Sequence, residues 1–145
     1  MSTHHGILLH VVFSTKWRKP LISETWQDDL FAYIAAAARE HQAISLCAGG
    51  TQDHIHLLLK THPKFAIAST IQLIKANSSR WINQERKTNG KFSWQRGYGA
   101  FSVSESMVDT VKSYIANQRE HHRLRSFREE YLAILRRHKI EFDER

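Results

Sequence analysis

Apolar residues along the chain follow two patterns, short β-branched runs and longer stretches with helical spacing. The run at residues 6–14 (GILLHVVFS) is rich in β-branched and aromatic residues, which predicts a first strand. Residues 43–48 and 54–60 predict two more strands, and the glycine pair in the joint between them, residues 49–53, favours a hairpin turn. A fourth strand is predicted at about residues 98–103.

Helical spacing predicts two helices between these strands and two after them. Ser23 is a suitable N-cap for the first helix, which is expected to reach about Glu40, and the second is expected over residues 66–86. Each later helix begins with a serine followed three residues on by an acidic residue, which resembles a capping box. These pairs are Ser106 with Asp109, for a helix to about His121, and Ser126 with Glu129, for a helix to about His138.

The predicted order of elements is therefore β-α-β-β-α-β followed by two helices. This is the order of a ferredoxin-like antiparallel sheet, of class α+β, with helical additions at its C-terminal end. No repeat, linker or low-complexity tract divides the chain, and its 145 residues suit one core. We therefore expect residues 1–145 to form a single domain.

Composition narrows the class of protein. Hydrophobic residues make up 41% of the chain and charged residues 24%, which is typical of a globular protein. The single cysteine, Cys47, excludes an internal disulfide and a cysteine metal cluster. No apolar run approaches the roughly 20 residues that span a bilayer, and the N-terminus lacks the pattern of a signal peptide. We expect a soluble cytoplasmic protein.

The charge is uneven along the chain. Of the net charge of +7, most comes from residues 73–145, which hold fifteen basic and nine acidic side chains. A phosphate-bearing partner such as nucleic acid explains such an excess, because nucleic-acid affinity begins with cations that face phosphates. A basic surface that serves only solubility is the alternative.

Two histidines stand two residues apart in the third predicted strand, His54 and His56. Because side chains alternate along a strand, both project from one face, and Ile55 and Leu57 project from the other. Two imidazoles in this arrangement can bind one metal ion and leave positions for water or substrate oxygens. The alternative is a histidine pair on a solvated face of the sheet.

A second group of polar residues lies in the helix after the fourth strand. Tyr114 and Gln118 are one turn apart, so they share a face of that helix. A tyrosine beside an amide can be a nucleophile beside a metal ligand, because the amide oxygen coordinates hard cations. The alternative is an ordinary contact between helix and sheet.

Together the two groups of residues lead to a hypothesis for the reaction. Tyrosine has a pKa of about 10 and is a poor nucleophile at neutral pH, so it needs an activated electrophile. A divalent ion held by His54, His56 and Gln118 can polarise a phosphodiester oxygen and orient the leaving 3′ oxygen. Tyr114 then attacks the phosphorus and forms a phosphotyrosine, which conserves the bond energy for rejoining.

These motifs and their order resemble a known family. The His-hydrophobic-His (HUH) motif His54-Ile55-His56 precedes Tyr114 and Gln118 by about sixty residues, and the segment from Trp94 to Val103 lies between them. The chain resembles the small single-tyrosine HUH transposases of bacterial insertion sequences, which move single-stranded DNA. The similarity covers the chain from about residue 6 to residue 123.

The resemblance implies a ferredoxin-like homodimer that binds Mg²⁺ or Mn²⁺ through both histidines and the glutamine. It implies Tyr114 as the nucleophile, a 5′-phosphotyrosine intermediate and a free 3′-OH. It also implies single-stranded DNA recognised as a hairpin at the ends of the element. In such dimers the tyrosine helix of one subunit can meet the histidines of the other, so the sequence leaves open whether Tyr114 acts within its own chain.

Two clusters of basic and aromatic residues are candidate DNA contacts, because such mixtures hold phosphates and stack unpaired bases. The first lies in the loop after the first strand and the second along the long helix and its exit. They consist of Lys16, Trp17, Arg18 and Lys19, and of Lys75, Arg80, Arg86, Lys87 and Lys91. Each charge taken alone is better explained as a solvated surface charge, so only the clusters indicate DNA contact.

Three other functions remain open at this stage. One is a domesticated relative that binds DNA or RNA hairpins without cutting them. Another is a relaxase or replication initiator, whose site and tyrosine chemistry are the same but whose chains are usually longer. The third is a metallohydrolase that uses water, which predicts nicked DNA without a covalent adduct. The tyrosines other than Tyr114 are weaker candidates for the nucleophile.

Overall fold

The structure, a computed structural model, describes residues 1–118, 120 and 125–140. Its four strands are β1 (Ile7–Ser14), β2 (Ile44–Gly50), β3 (His54–Thr61) and β4 (Gly99–Val103). They form one sheet in the order β2-β3-β1-β4, and every neighbouring pair is antiparallel. Strand order and direction confirm the predicted ferredoxin-like α+β fold.

Helices cover both faces of this sheet. Helices α1 (Glu24–Ala38) and α2 (Ile67–Gln84) connect the strands, and α3 (Val108–Ala116) and α4 (Phe127–Arg137) follow β4. Alternate strand residues such as Val11 and Leu57 pack with α1 and α2 in the main core. On the opposite face, α3 packs on β2 and β3. Among the described residues, no helix combines the length and apolar character that crossing a bilayer requires.

The serine caps have different outcomes. Ser23 Oγ accepts a hydrogen bond from the backbone N–H of Thr25, and Ser126 Oγ accepts one from that of Glu129, each at 3.2 Å, so both helix starts are confirmed. The predicted N-cap at Ser106 is wrong. The chain leaves β4 through a 3₁₀ turn that contains Ser106, and α3 begins at Val108 without a side-chain cap. This helix ends at Ala116, and its predicted end at His121 lies outside the described residues.

The glycine pair between the second and third strands is also not a turn. Gly49 and Gly50 are the last residues of β2, and the hairpin turns at residues 51–53. A Cβ at Gly49 would lie 2.1 Å from the carbonyl oxygen of Ile115, and a Cβ at Gly50 would lie 2.4 Å from that of His54. Close backbone approach therefore explains both glycines, because Gly49 allows α3 to lie against the sheet and Gly50 allows the hairpin to close against the start of β3.

Candidate metal and tyrosine site

Strand β3 carries His54 and His56 on the face of the sheet that α3 and α4 cover. Their neighbours Ile55 and Leu57 belong to the main core on the other face, as the alternation predicts. Both imidazoles are 0% exposed, so a solvated sheet face is excluded. Buried polar rings need hydrogen-bond partners, and each ring has one at both of its nitrogens.

His54 is fixed from the hairpin turn before β3. Its Nδ1 lies 2.7 Å from Asp53 Oδ1 and 2.9 Å from Thr51 Oγ1. Burial opposes the charged imidazole, but hydrogen bonds with Asp53 and Glu130 outweigh burial and raise the pKa of His54. Because Nδ1 of His54 contacts Asp53, its other ring nitrogen, Nε2, is directed at the other side chains of the site.

His56 is fixed from the neighbouring strand. Its Nδ1 lies 2.8 Å from Nε2 of His10 on β1, and the two rings are stacked. Burial, together with the nearby His56, lowers the pKa of His10 to about 3, so His10 is neutral at physiological pH. His10 is a site residue that the sequence analysis missed, because its contact with His56 spans 46 residues.

Tyr114 and Gln118 reach the same place from α3 and the residues just after it. Gln118 Oε1 lies 3.2 Å from His54 Nε2, and Gln118 Nε2 donates to the backbone carbonyl of Tyr114. The Tyr114 ring is half-buried, edge-on to His10 and His56, with ring centroids 6.1 and 5.9 Å away. The four residues predicted from the sequence therefore meet within one chain.

Glu130 of α4 is the second residue that the sequence analysis missed. Its Oε1 lies 3.1 Å from His56 Nε2 and 3.5 Å from His54 Nε2, and its Oε2 accepts a hydrogen bond from the Tyr114 hydroxyl. The sequence does contain a signal. Phe127, Tyr131 and Ile134 form an apolar stripe on α4, and Glu130 falls on that stripe, where an unpaired carboxylate would be costly.

The environment shifts the pKa values of both partners in this contact. Burial of the Glu130 carboxyl opposes its charge, but hydrogen bonds with His54 and His56 outweigh burial and hold its pKa well below the usual range. Burial, followed by the hydrogen bond to Glu130, raises the pKa of Tyr114 above that of a free tyrosine. Arg125 acts in the opposite direction on Tyr114. The phenol is therefore protonated at neutral pH.

The donor set fits a divalent cation. One donor atom each from His54, His56 and Glu130 lie within 4.8 Å of one another, and the amide oxygen of Gln118 lies beside His54. Ligands held at about 2.1 Å by one octahedral ion lie about 3 Å apart, close to the separations described above. Two imidazole nitrogens, a carboxylate and an amide oxygen are ordinary ligands of such ions.

Tyr114 also borders open space. A groove of about 490 Å³ between β4, α3 and α4 is lined by Tyr114 and His10, with Arg137 and His138 on its wall. A molecule in this groove can approach the phenol. The imidazoles themselves lie beneath Gln118, which is 1% exposed, and Glu130, which is 0% exposed.

The predicted basic loop lies beside the segment that leads into β4. Trp17 is 72% exposed, and its backbone N–H donates to Gln95 Oε1 at 3.0 Å. The backbone N–H of Lys16 donates to the Ser93 carbonyl at 3.0 Å. The side chains of Lys16, Arg18 and Lys19 are exposed. The loop and the segment at residues 93–95 thus form one surface.

The predicted cluster on α2 divides between two sides of that helix. The Lys75 ammonium donates to the carbonyls of Gln95 and Gly97 at 2.8 and 2.7 Å, so it fixes the segment before β4. Arg80 instead donates to Asn77, and Lys87 lies over the Trp81 ring, which stacks on Tyr33 of α1. Arg86 is exposed beyond the end of the helix.

Comparison with known proteins agrees with this fold. The chain matches the family described as IS200-like transposases over residues 3–118. It is 24% identical to the ISDra2 transposase TnpA of Deinococcus radiodurans over 116 residues, or 77% of this chain and 83% of that protein. It is 26% identical to the transposase of insertion sequence IS200 from Salmonella typhimurium over 117 residues, or 77% and 76% of the two chains.

Solved structures share the fold. A crystal structure described as a Deinococcus radiodurans transposase matches with a TM-score of 0.61 and 22% identity, over 81% of this chain and 95% of that chain. A REP-associated tyrosine transposase bound to a REP hairpin matches with a TM-score of 0.58 and 14% identity, over 79% and 70%.

The family match covers residues 3–118, well over half of the chain, and identifies the class of protein as a transposase. More particularly, the chain belongs to the IS200-like transposase family, a family of DNA-processing enzymes. The matched residues contain His54, His56, Tyr114 and Gln118 and end before Glu130.

Proposed function

We propose that this protein cuts and rejoins single-stranded DNA at hairpin-marked ends of a mobile element, with Tyr114 as the nucleophile. The observation that carries the proposal is that the Glu130 carboxylate joins the Tyr114 hydroxyl to His54 and His56, with the Gln118 amide beside His54. Residues from β3, α3 and α4 converge there although they are up to 76 residues apart in sequence. Structural packing alone does not require so many polar groups in one buried cluster.

The proposed reaction is a transesterification. The Tyr114 oxygen forms a bond to phosphorus, the bond from phosphorus to the 3′ oxygen breaks, and the proton of the phenol ends on that 3′ oxygen. The products are a 5′-phosphotyrosine and a free 3′-OH, and the reverse reaction with another 3′-OH joins strands. No water is consumed, so the phosphodiester energy is retained.

His54, His56 and Gln118 hold Mg²⁺ or Mn²⁺ in this proposal, and Glu130 adds a donor in the arrangement seen here. Such an ion polarises a phosphoryl oxygen and stabilises the leaving oxygen. The protein side chains supply orientation. Asp53 and His10 fix the two imidazoles through their second nitrogens, and Glu130 holds the Tyr114 hydroxyl toward them before DNA enters the site.

Hairpin recognition is supported by the basic loop at residues 16–19 and by the relative that was solved with a REP hairpin. The exposed cations Lys16, Arg18 and Lys19 meet phosphates in this proposal, and Trp17 stacks on an unpaired base. Arg80 of α2, with Arg86 and Lys87 beyond the end of this helix, would form a separate phosphate contact. Lys75 contributes by fixing the segment before β4.

A covalent-adduct assay tests the reaction. Single-stranded oligonucleotides tiled across the DNA that flanks the gene are incubated with the protein and Mg²⁺ or Mn²⁺, and each carries a label at one end. A 3′ label should become attached to the protein in denaturing gels, and a 5′ label should be released on a shorter strand with a free 3′-OH. Tyr114→Phe should abolish the adduct, and Tyr33→Phe, on the far face of the sheet, should retain it.

Other results assign the other functions. Hairpin binding by the wild type without an adduct would favour the non-cleaving binding protein. Nicked DNA without an adduct, unchanged in Tyr114→Phe, would favour a water-using hydrolase. The homodimer implied by the family resemblance stays a prediction, which the molecular mass in solution tests.

A further inference from the structure

Two adjoining cavities lie along the segment at residues 91–98, which leads into β4. The basic groove, of about 610 Å³, lies between this segment and α2 and is lined by Lys75, Lys91 and Arg96. The aromatic cleft, of about 210 Å³, lies between the end of the segment and α4 and is lined by Tyr98 and Phe127, with Tyr131 beside them. Arg96, Gly97 and Tyr98 line both cavities, so the two adjoin at these residues, and together they are called the track.

The segment that forms this track is firmly held. The Trp94 indole N–H donates to Ser78 Oγ at 2.9 Å, and the Gln95 backbone N–H donates to the Ser14 carbonyl at 2.8 Å. The two hydrogen bonds from Lys75 fix Gln95 and Gly97, where φ is +91°. The side chains of Arg96 and Tyr98 remain exposed, and Tyr98 is 42% exposed. A fixed backbone thus presents a cation and an aromatic ring to solvent.

The aromatic cleft ends at the candidate site. The Phe127 ring stacks on His54 with centroids 4.2 Å apart and on Tyr131 with centroids 5.8 Å apart. A ligand in the cleft therefore lies next to the residue that borders the metal donors. The cleft is smaller than the roughly 300 Å³ at which sites for whole drug-sized ligands begin, so it suits one planar ring.

Charge distinguishes this track from the other large groove of the molecule. Among the described residues, no carboxylate lines the basic groove or the aromatic cleft. A groove of similar size, about 630 Å³, runs along α1 and the end of β2 and is lined by Glu24, Asp28 and Glu120, with no lysine or arginine in its lining as far as the structure describes the chain. A polyanion is attracted to the first groove and repelled by the second.

We propose that the basic groove and the aromatic cleft bind the unpaired DNA strand that flanks the cut phosphodiester. Arg96 and Lys91 contact its phosphates, and one base enters the cleft and stacks on Tyr98. This inference rests on the proposed function, which supplies single-stranded DNA as the substrate. It adds a binding site, next to His54, for a nucleotide that is not itself cut.

Binding of a labelled oligothymidylate, measured by fluorescence anisotropy in the Tyr114→Phe protein, tests the track without cleavage. Loss of one stacking contact is expected to weaken binding between about fivefold and a hundredfold, and Tyr98→Ala should show a loss of this size. Tyr98→Phe keeps an aromatic ring and should bind within about twofold of the parent protein. Arg96→Gln should weaken binding and lower the salt dependence by about one phosphate contact. Lys64→Gln, which removes an exposed cation that lines neither cavity, is the matched control.

The proposal is overturned if the parent protein does not bind the oligonucleotide. It is also overturned if Tyr98→Ala binds like Tyr98→Phe, or if Arg96→Gln has no more effect than Lys64→Gln. A single 5-iodouracil in the strand gives a positional check, with photo-cross-links expected on Tyr98 or Phe127 and links found only elsewhere counting against the track. Thermal unfolding of each variant shows whether a loss of binding reflects a loss of folding.

Failure of this inference is distinguishable from failure of the proposed function. If the wild type forms no covalent adduct but the Tyr98 and Arg96 variants behave as expected, the reaction is wrong and the track stands as a binding site. If the adduct forms and the track variants bind and react like the parent, the track alone is wrong.

Discussion

At the scale of single residues, the site depends on how each imidazole uses its second nitrogen. A metal-binding histidine usually donates its other N–H to an acceptor, which fixes both tautomer and ring orientation. His54 has Asp53 in this position, as is common, whereas His56 has another imidazole, that of His10. The pKa of His10, lowered to about 3, suits an acceptor because a neutral imidazole offers an unprotonated nitrogen.

Replacement of His10 by Phe is therefore expected to weaken metal binding. Phe fills the space of the imidazole but accepts no hydrogen bond, so the Nδ1–H of His56 loses its partner in a buried site. Loss of such a supporting contact typically costs 10- to 100-fold in metal affinity, and we expect an effect of this size. Titration calorimetry with Mn²⁺ measures it. His62→Phe is a suitable control, and unchanged Mn²⁺ affinity in His10→Phe would contradict the role given to His10.

The residue scale also shows the limit of sequence reasoning. His54, His56, Tyr114 and Gln118 were predicted because the partners within each pair lie two or four residues apart, and local geometry relates such neighbours. His10 and Glu130 were missed because strand pairing and helix packing bring them to His56 from 46 and 74 residues away. Only the polar residue on the apolar stripe of α4 gave a local sign of that contact.

At the scale of elements, the hydrophobic pattern predicted the strands and their order, but it misassigned the two glycines. Glycine pairs are frequent in hairpin turns, and the local pattern does not predict that a helix from further along the sequence packs on the strand. Gly49 lies where the backbone of α3 approaches β2, and Gly50 lies against the start of β3. The absence of a side chain at Gly49 therefore sets the distance of α3, and with it Tyr114, from the sheet.

Substitution of Gly49 by Ala tests this element contact. The added Cβ would lie 2.1 Å from the Ile115 carbonyl oxygen, which is backbone and moves only with α3. We expect a loss of about 1–3 kcal/mol in the free energy of unfolding, as is usual for overpacking, with a fall in adduct formation beyond what the unfolded fraction explains. Urea unfolding and the adduct assay measure the two effects. Gly6→Ala meets no atom within 4 Å and should change neither.

At the scale of the whole molecule, α4 closes the site that the proposed reaction uses. The Glu130 carboxylate lies between the imidazoles and the phenol, with one oxygen near both His Nε2 atoms and the other accepting from Tyr114. A phosphodiester under attack by Tyr114 needs this same space. Because both imidazoles are fully buried, we expect the proposed reaction to need an outward movement of α4 at Glu130, so that the energy of packing this part of α4 becomes part of the barrier.

Weaker packing of α4 is therefore expected to speed adduct formation. Ile134 on α4 and Ile82 on α2 are both fully buried, so Ala at either position should lower the free energy of unfolding by about 2–5 kcal/mol. Only Ile134→Ala lowers the cost of moving α4, and each 1 kcal/mol removed from that cost should raise the initial rate about fivefold at saturating metal. Ile82→Ala, in the core on the opposite face, should give no increase. Both rates are measured well below the unfolding temperature of either variant. If Ile134→Ala reacts no faster than Ile82→Ala, α4 stays in place during the reaction. The strand then reaches Tyr114 through the groove lined by Arg137 and His138.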